Sequence, residues 1–249
     1  MNISRIIFFI YGVMGYLIAL FCTVYLIGFL SNTGVTKSID GDPIAPLGYS
    51  ILVDSLLIFL FTFQHSLMAR VNFKKQWKHL IPEPIERSTY VIISSLFLGG
   101  LMYFWHPVPI GIWTFSDPAF SKLLQIINLC GWGIVLLSTF QINHFDLFGI
   151  RQVSFYLQSK PYKKLDFKTP GLYKYTRHPL YFGFLLAFWF TPHMTLAHLL
   201  YATFSSLYII IAIRWEEMDL RKEFGESYKH YQNVIPRLIP FTRSLRRKK

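Results

Sequence analysis

The sequence predicts an all-α fold: a polytopic integral membrane helical bundle of about five to six helices, the last two forming a hairpin. Three observations predict it. Of 249 residues, 53% are hydrophobic and only 15% charged, and the mean hydropathy is +0.37. A soluble domain rarely combines so few charges with so much apolar bulk. The apolar residues also arrive in blocks, and the basic residues sort to particular loops between them.

The blocks run in order. Ile6 to Leu30 is nearly unbroken. It is too long, and lacks the small-residue cleavage site, for a removed signal peptide, so it is expected to be the first span. Tyr49 to Phe63 follows, interrupted by Asp54 and small hydroxyls; Thr89 to Phe104 is a third block and Leu123 to Ile142 a fourth. A helix needs about 20 residues to cross the hydrocarbon core. Leu180 to Phe190 holds only 11 and is short for a full crossing. Leu196 to Ile213 is the sixth block. The break Thr191-Pro192-His193-Met194-Thr195 lets the fifth and sixth blocks form the hairpin.

Lys and Arg number 25: one before the first block, five in 70–88, seven in 144–178 and ten in 214–249, with only Lys37 and Lys122 elsewhere. Positively charged loops stay cytoplasmic, so both termini and these loops are expected inside. The net charge of +12 is thus a topology signal. Nucleic acid is not an expected partner, because the basic residues follow the loops. The lipid bilayer is, and the tail Arg243–Lys249 is expected on anionic lipid. Cys22 and Cys130 both sit in apolar blocks, and neither a disulfide framework nor a metal site is expected. The organisation read is one membrane domain, 1–249, whose cytoplasmic face is built from 144–178 and 214–249.

That face holds the chemistry. The stretch TPGLYKYTRHPLYFGF, 169–184, places Pro179 where a first helical turn tolerates it. Arg177 and His178 then stand at a helix N-terminus, which favours an anion. Pro170 and Gly171 make a turn that lets backbone approach a ligand. The plainer reading is a basic and aromatic anchor at a membrane boundary. On the sixth helix His198, Tyr201, Ser205, Tyr208, Ala212, Glu216 and Asp219 fall within about 80° of helical arc. Such a stripe faces a wet cavity or serves as hydrogen-bond glue between helices. Glu216 and Glu217 at its end suit a cationic amine. Asn143-His144-Phe145-Asp146, followed by Arg151-Gln152, closes the fourth block. His144 and Asp146 are candidates for a shared proton-accepting task, and Gln64-His65 for joining them, although polar residues end any membrane helix. An anion site, a carboxylate pair and many aromatics together meet the needs of S-adenosyl-L-methionine, as of other zwitterions.

Gly171-Leu172-Tyr173-Lys-Tyr175-Thr-Arg177-His178-Pro179-Leu-Tyr181-Phe-Gly183 resembles the C-terminal signature of isoprenylcysteine carboxyl methyltransferases and related small membrane methyltransferases. So do Glu216-Glu217-Met-Asp-Leu220, Phe224-Gly225-Glu226-Ser-Tyr228, Tyr231, Pro236 and Pro240. Phe63-Gln-His65-Ser66, Ile81-Pro-Glu83, Glu86-Arg-Ser-Thr-Tyr90, Asn143-His-Phe-Asp-Leu-Phe-Gly149 and Arg151-Gln-Val153 make the whole chain resemble the bacterial methanethiol S-methyltransferases. The resemblance implies S-adenosyl-L-methionine as methyl donor, bound by Gly171, Leu172, Tyr173, Arg177, His178 and Tyr181 together with Glu216 and Glu217. Spacing back from Phe224-Gly225 favours Glu217 as the family's acidic residue, and the helical stripe favours Glu216. The prenylcysteine enzymes carry an arginine five residues before that glutamate; here the position is Ala212, with Arg214 nearby. A small neutral thiol is therefore the expected acceptor, with His144, Asp146 and Glu217 as catalytic candidates. Two other classes stay open: a nicotinamide-dependent membrane reductase, which typically has Asn where this chain has Leu180, and a transporter with a midplane polar stripe.

Overall fold

The computed structural model describes residues 3–242; the tail Arg243–Lys249, expected on lipid, lies outside the described residues. Nine α-helices are described: α1 (Ile3–Ser31), α2 (Leu47–Ala69), α3 (Val71–Trp77), α4 (Glu83–Phe104), α5 (Pro118–Ile142), α6 (His144–Leu147), α7 (Ile150–Leu157), α8 (Pro179–Trp189) and α9 (Leu196–Val234). Two short strands, β1 (Gly111–Thr114) and β2 (His193–Thr195), pair with each other, and a 3₁₀ turn spans Gly171–Lys174. The all-α membrane bundle expected from composition is what forms.

Among the described residues α1, α2, α5 and α9 are long and apolar enough to cross a membrane. Helix α4 has 22 residues, about 33 Å of length, but Glu83, Glu86 and a series of hydroxyl side chains dilute its hydropathy. Those hydroxyls are turned inward: Ser88, Thr89, Ser94 and Ser95 are buried.

The chain divides into two compact units. The first takes residues up to Trp113, His144–Lys163 and Met194–Tyr201. Within it α1 packs on α4 and α7, and α2 on α4. The buried side of α1 is Gly12, Gly15, Ala19, Cys22 and Leu26, whereas Ile7, Ile10, Met14, Leu17, Phe21 and Val24 are exposed. This reverses the soluble pattern. Lipid solvates large side chains, and small ones let backbones approach. A Cβ on Gly12 would strike Val153 of α7.

The second unit takes Thr114–Asn143, Lys164–His193 and the chain from Ala202. Helix α5 packs on α8 through a glycine crossing: a Cβ on Gly131 would lie 2.7 Å from the Gly183 carbonyl oxygen. Asn128 donates to the Ala187 carbonyl at 2.6 Å, satisfying a group in the last turn of α8. The expected hairpin is present. Trp189 at the end of α8 donates to Ser206 of α9 at 2.9 Å, while His178 at its start lies 3.3 Å from Glu217. The two helices therefore run antiparallel. The polar stripe of α9 is turned inward, with His198, Tyr201 and Ala212 buried. Helix α9 also runs 21 residues past the end of the apolar block at Ile213, and only Gly225, at φ 55 and ψ −127, interrupts it.

Candidate active site

The second unit gathers the predicted 171–181 segment around α9. Gly171 takes the left-handed conformation, φ 49, and a Cβ there would run into the Gln141 side chain. That glutamine accepts from the Leu172 N–H at 2.8 Å and fixes the turn to the end of α5. Tyr231 donates to the Tyr173 carbonyl at 2.6 Å, closing the last stretch of α9 onto the same turn. Tyr173 itself is buried; burial and the nearby Glu216 carboxylate push its phenol pKa up, so the hydroxyl stays protonated. Pro179 opens α8 and His178 is its cap residue, as the sequence predicts.

Arg177 is fully engaged inside the protein. Its Nε donates to Glu217 Oε1 at 2.7 Å, and its Nη2 lies 2.7 Å from the same oxygen. Its Nη1 donates to the carbonyls of Gln232 and Ile235, and its backbone N–H to that of Pro236. Arg177 thus ties Glu217, forty residues later in the chain, to the stretch 232–236 at the end of α9.

The two adjacent glutamates differ sharply. The Glu217 side chain is 7% exposed and meets three side chains: Arg177, His178 at 3.3 Å, and Arg237, whose Nη2 lies 3.2 Å from Oε2. The Glu216 side chain is 43% exposed and has the His178 Nδ1 at 3.7 Å. His178 is buried between the two carboxylates, with the Tyr181 ring 5.7 Å away. Below them Phe167 packs on Phe224, Tyr228 and Tyr231, at ring separations of 5.3, 5.6 and 5.4 Å. Tyr228 is 2% exposed, and its hydroxyl has no hydrogen-bond partner among the described residues. Sequence reasoning left out Arg237, Gln232 and Gln141 as site residues. Tyr228 and Tyr231 stood in the stretch that carried the resemblance, and only their roles were missing.

His144 and Asp146 belong to the first unit. His144, at the start of α6, is buried, and its Nε2 lies 3.0 Å from the Tyr16 hydroxyl. Burial lowers its pKa below the ordinary imidazole value, so the ring is neutral near pH 7. Asp146 accepts from Arg151 at 2.9 Å and from Tyr162 at 2.9 Å. Burial and that bond push the Tyr162 phenol up to about 12. In the same unit His65 lies 2.9 Å from the Tyr90 hydroxyl and 3.3 Å from Ser94, which Gln64 also approaches.

Fold and site together define a polytopic α-helical membrane protein whose short helical hairpin carries a buried Arg–Glu–His cluster. A family model described as "Protein of unknown function (DUF1295)" matches residues 59–235. The chain is 47% identical over 239 residues to the methanethiol S-methyltransferase of Crocosphaera subtropica, covering 96% of this chain and 94% of that one. It is 43% identical over 244 residues to methanethiol S-methyltransferase 1 of Bradyrhizobium diazoefficiens, covering 98% and 86%. Similarity extends at 30% identity to Nurim of Xenopus laevis, covering 80% and 78%. The chain belongs to the methanethiol S-methyltransferase family. No solved structure matches it.

Proposed function

We propose that this chain transfers a methyl group from S-adenosyl-L-methionine to the sulfur of methanethiol, giving dimethyl sulfide. The observation that carries the reading is identity above 40%, over nearly the whole chain, to relatives of that name. The second unit supplies groups that fit the donor. Glu216, half-exposed, is set for the ammonium of a zwitterion. His178, Tyr181 and the backbone of Gly171, Leu172 and Tyr173 line the same turn, and the Tyr228 hydroxyl is available to a polar ligand atom. Arg177 and Glu217 hold these groups in place. When bound, the donor supplies a methyl carbon made electrophilic by its sulfonium.

The acceptor attacks as a thiolate, and His144 is the assigned base. A neutral imidazole can take the thiol proton, and Tyr16 orients the ring. Asp146 is held by Arg151 and Tyr162 and serves to order the α6–α7 stretch. Ala212, buried where the prenylcysteine enzymes carry arginine, leaves no cation for an acceptor carboxylate at that position. Both units are taken to serve one catalytic domain with its donor site on the cytoplasmic side, since most basic residues fall in 144–178 and 214–249.

Purified protein given labelled S-adenosyl-L-methionine and a thiol panel should release labelled dimethyl sulfide. His144→Ala should lower turnover by about 10²–10⁴-fold while donor affinity holds. The sign of the pH effect follows from the lowered pKa: wild-type activity should fall only below the ordinary histidine value of about 6.5. The variant's activity should climb as rising pH generates thiolate from solvent. Carboxyl methylation of a prenylcysteine analogue without volatile sulfide would overturn the acceptor. Tight binding of a reduced nicotinamide without donor binding would overturn the reaction class.

A further inference from the structure

We infer that Arg237 binds the carboxylate of the methyl donor. The inference rests on the proposed donor and assigns a group that neither the helix-terminus pattern nor the resemblance selects. A zwitterionic amino-acid moiety needs a carboxylate for its ammonium and a cation for its own carboxylate. Two guanidinium groups and one imidazole touch the glutamate pair. Arg177 is excluded, because all three of its guanidinium nitrogens are already bonded to Glu217 or to the carbonyls of Gln232 and Ile235, in a buried setting. His178 is buried between Glu216 and Glu217. Arg237 remains: one nitrogen lies 3.2 Å from Glu217 Oε2, and its side chain is 52% exposed.

Its position is fixed from the backbone. Arg177 N–H donates to the Pro236 carbonyl at 3.0 Å, and Thr176 Oγ1 donates to the Leu238 carbonyl at 2.8 Å and the Arg237 carbonyl at 3.2 Å. The residues just before α8 therefore hold the chain on both sides of Arg237. A guanidinium with one edge on a buried carboxylate keeps its other N–H groups for a second carboxylate, in the fork geometry that arginine favours. Tyr228 is a second, independent pointer. Its buried hydroxyl has no partner among the described residues, and Glu217, Glu216 and Arg177 are its charged neighbours. A buried phenol left unbonded in a folded cluster is uncommon and suits a polar ligand.

The test compares two donors. Affinities of wild type, Arg237→Gln and Arg237→Lys are measured for S-adenosyl-L-methionine and for its decarboxylated analogue. Wild type should prefer the intact donor. Arg237→Gln should weaken that donor roughly tenfold to a hundredfold and leave the analogue unchanged, so the preference collapses. Binding of the analogue by Arg237→Gln also reports that the variant is folded. Arg237→Lys should keep part of the preference. Equal weakening of both donors would make Arg237 only a prop for Glu217 and overturn the inference. An unchanged preference in Arg237→Gln would overturn it as well. Failure of the wild type to bind either donor would overturn the proposed function itself.

Discussion

Glu216 and Glu217 are adjacent and chemically identical, yet one is half-exposed and the other is buried against Arg177, His178 and Arg237. They should therefore fail differently. Glu217→Gln leaves the Arg177 guanidinium buried without its counter-ion, a change that costs about 3–5 kcal/mol when a buried pair is broken. It should lower the thermal midpoint of the detergent-solubilised protein. Glu216→Gln should leave that midpoint near wild type and weaken donor binding roughly tenfold or more by calorimetry. The opposite pattern, with Glu216→Gln unfolding the protein, would reassign the two. The sequence could not separate these residues, because periodicity chose Glu216 and motif spacing chose Glu217, each for a different physical task. Arg177 shows the same limit. A cation beside Pro179 at a helix start reads as an anion site, and only folding brings Glu217 and the carbonyls of Gln232 and Ile235 onto its N–H groups.

At the scale of elements, hydropathy made the spans legible, since a block of apolar residues has few other uses. The hairpin was legible too, because Pro192 and its polar neighbours stop one helix just before another begins. What stayed hidden was the continuation of α9 past Asp219 to Val234. It stands outside the apolar signal, since 39 residues span about 58 Å, nearly twice the hydrocarbon thickness. The strands β1 and β2 stayed hidden because four and three residues hold too little pattern to read. Gly225 breaks the extended helix in a conformation nearly closed to other residues, φ 55 and ψ −127. Just beyond it Tyr228 and Tyr231 reach Phe167 and the Tyr173 carbonyl. A Cβ at Gly225 meets no neighbour, so Gly225→Ala tests backbone strain alone. The expected cost is about 1–3 kcal/mol, read as a lower thermal midpoint. An unchanged midpoint would mean that the backbone relaxes there without loss.

For the whole molecule the parity of crossings decides where the site faces. Five long helices, α1, α2, α4, α5 and α9, would put the two ends of the chain on opposite sides. Both termini on the cytoplasmic side would require a sixth crossing, and α8, which at 11 residues covers only about 17 Å, would have to supply it. Leu196 donates to the Ile110 carbonyl at 2.8 Å, and Thr195 hydrogen-bonds to Asp40, so α9 begins beside the α1–α2 and α4–α5 connections. Residues 190–195 carry the chain there, the last three of them as β2. The backbone on this path is not left bare. Phe190 donates to Leu186, Thr191 to Trp189, and the Pro192 carbonyl accepts from Phe115. Six crossings would return α9 to the side where the chain started, the side on which 144–178 and 214–249, with most of the basic residues, are expected. In a variant lacking Cys22 and Cys130, Ser116→Cys should react with a membrane-impermeant maleimide on intact cells, and Ser227→Cys only after permeabilisation. Were α8 to dip in and return to its own side, α9 would run outward, Ser227→Cys would react on intact cells, and the donor site would face away from the cytoplasm.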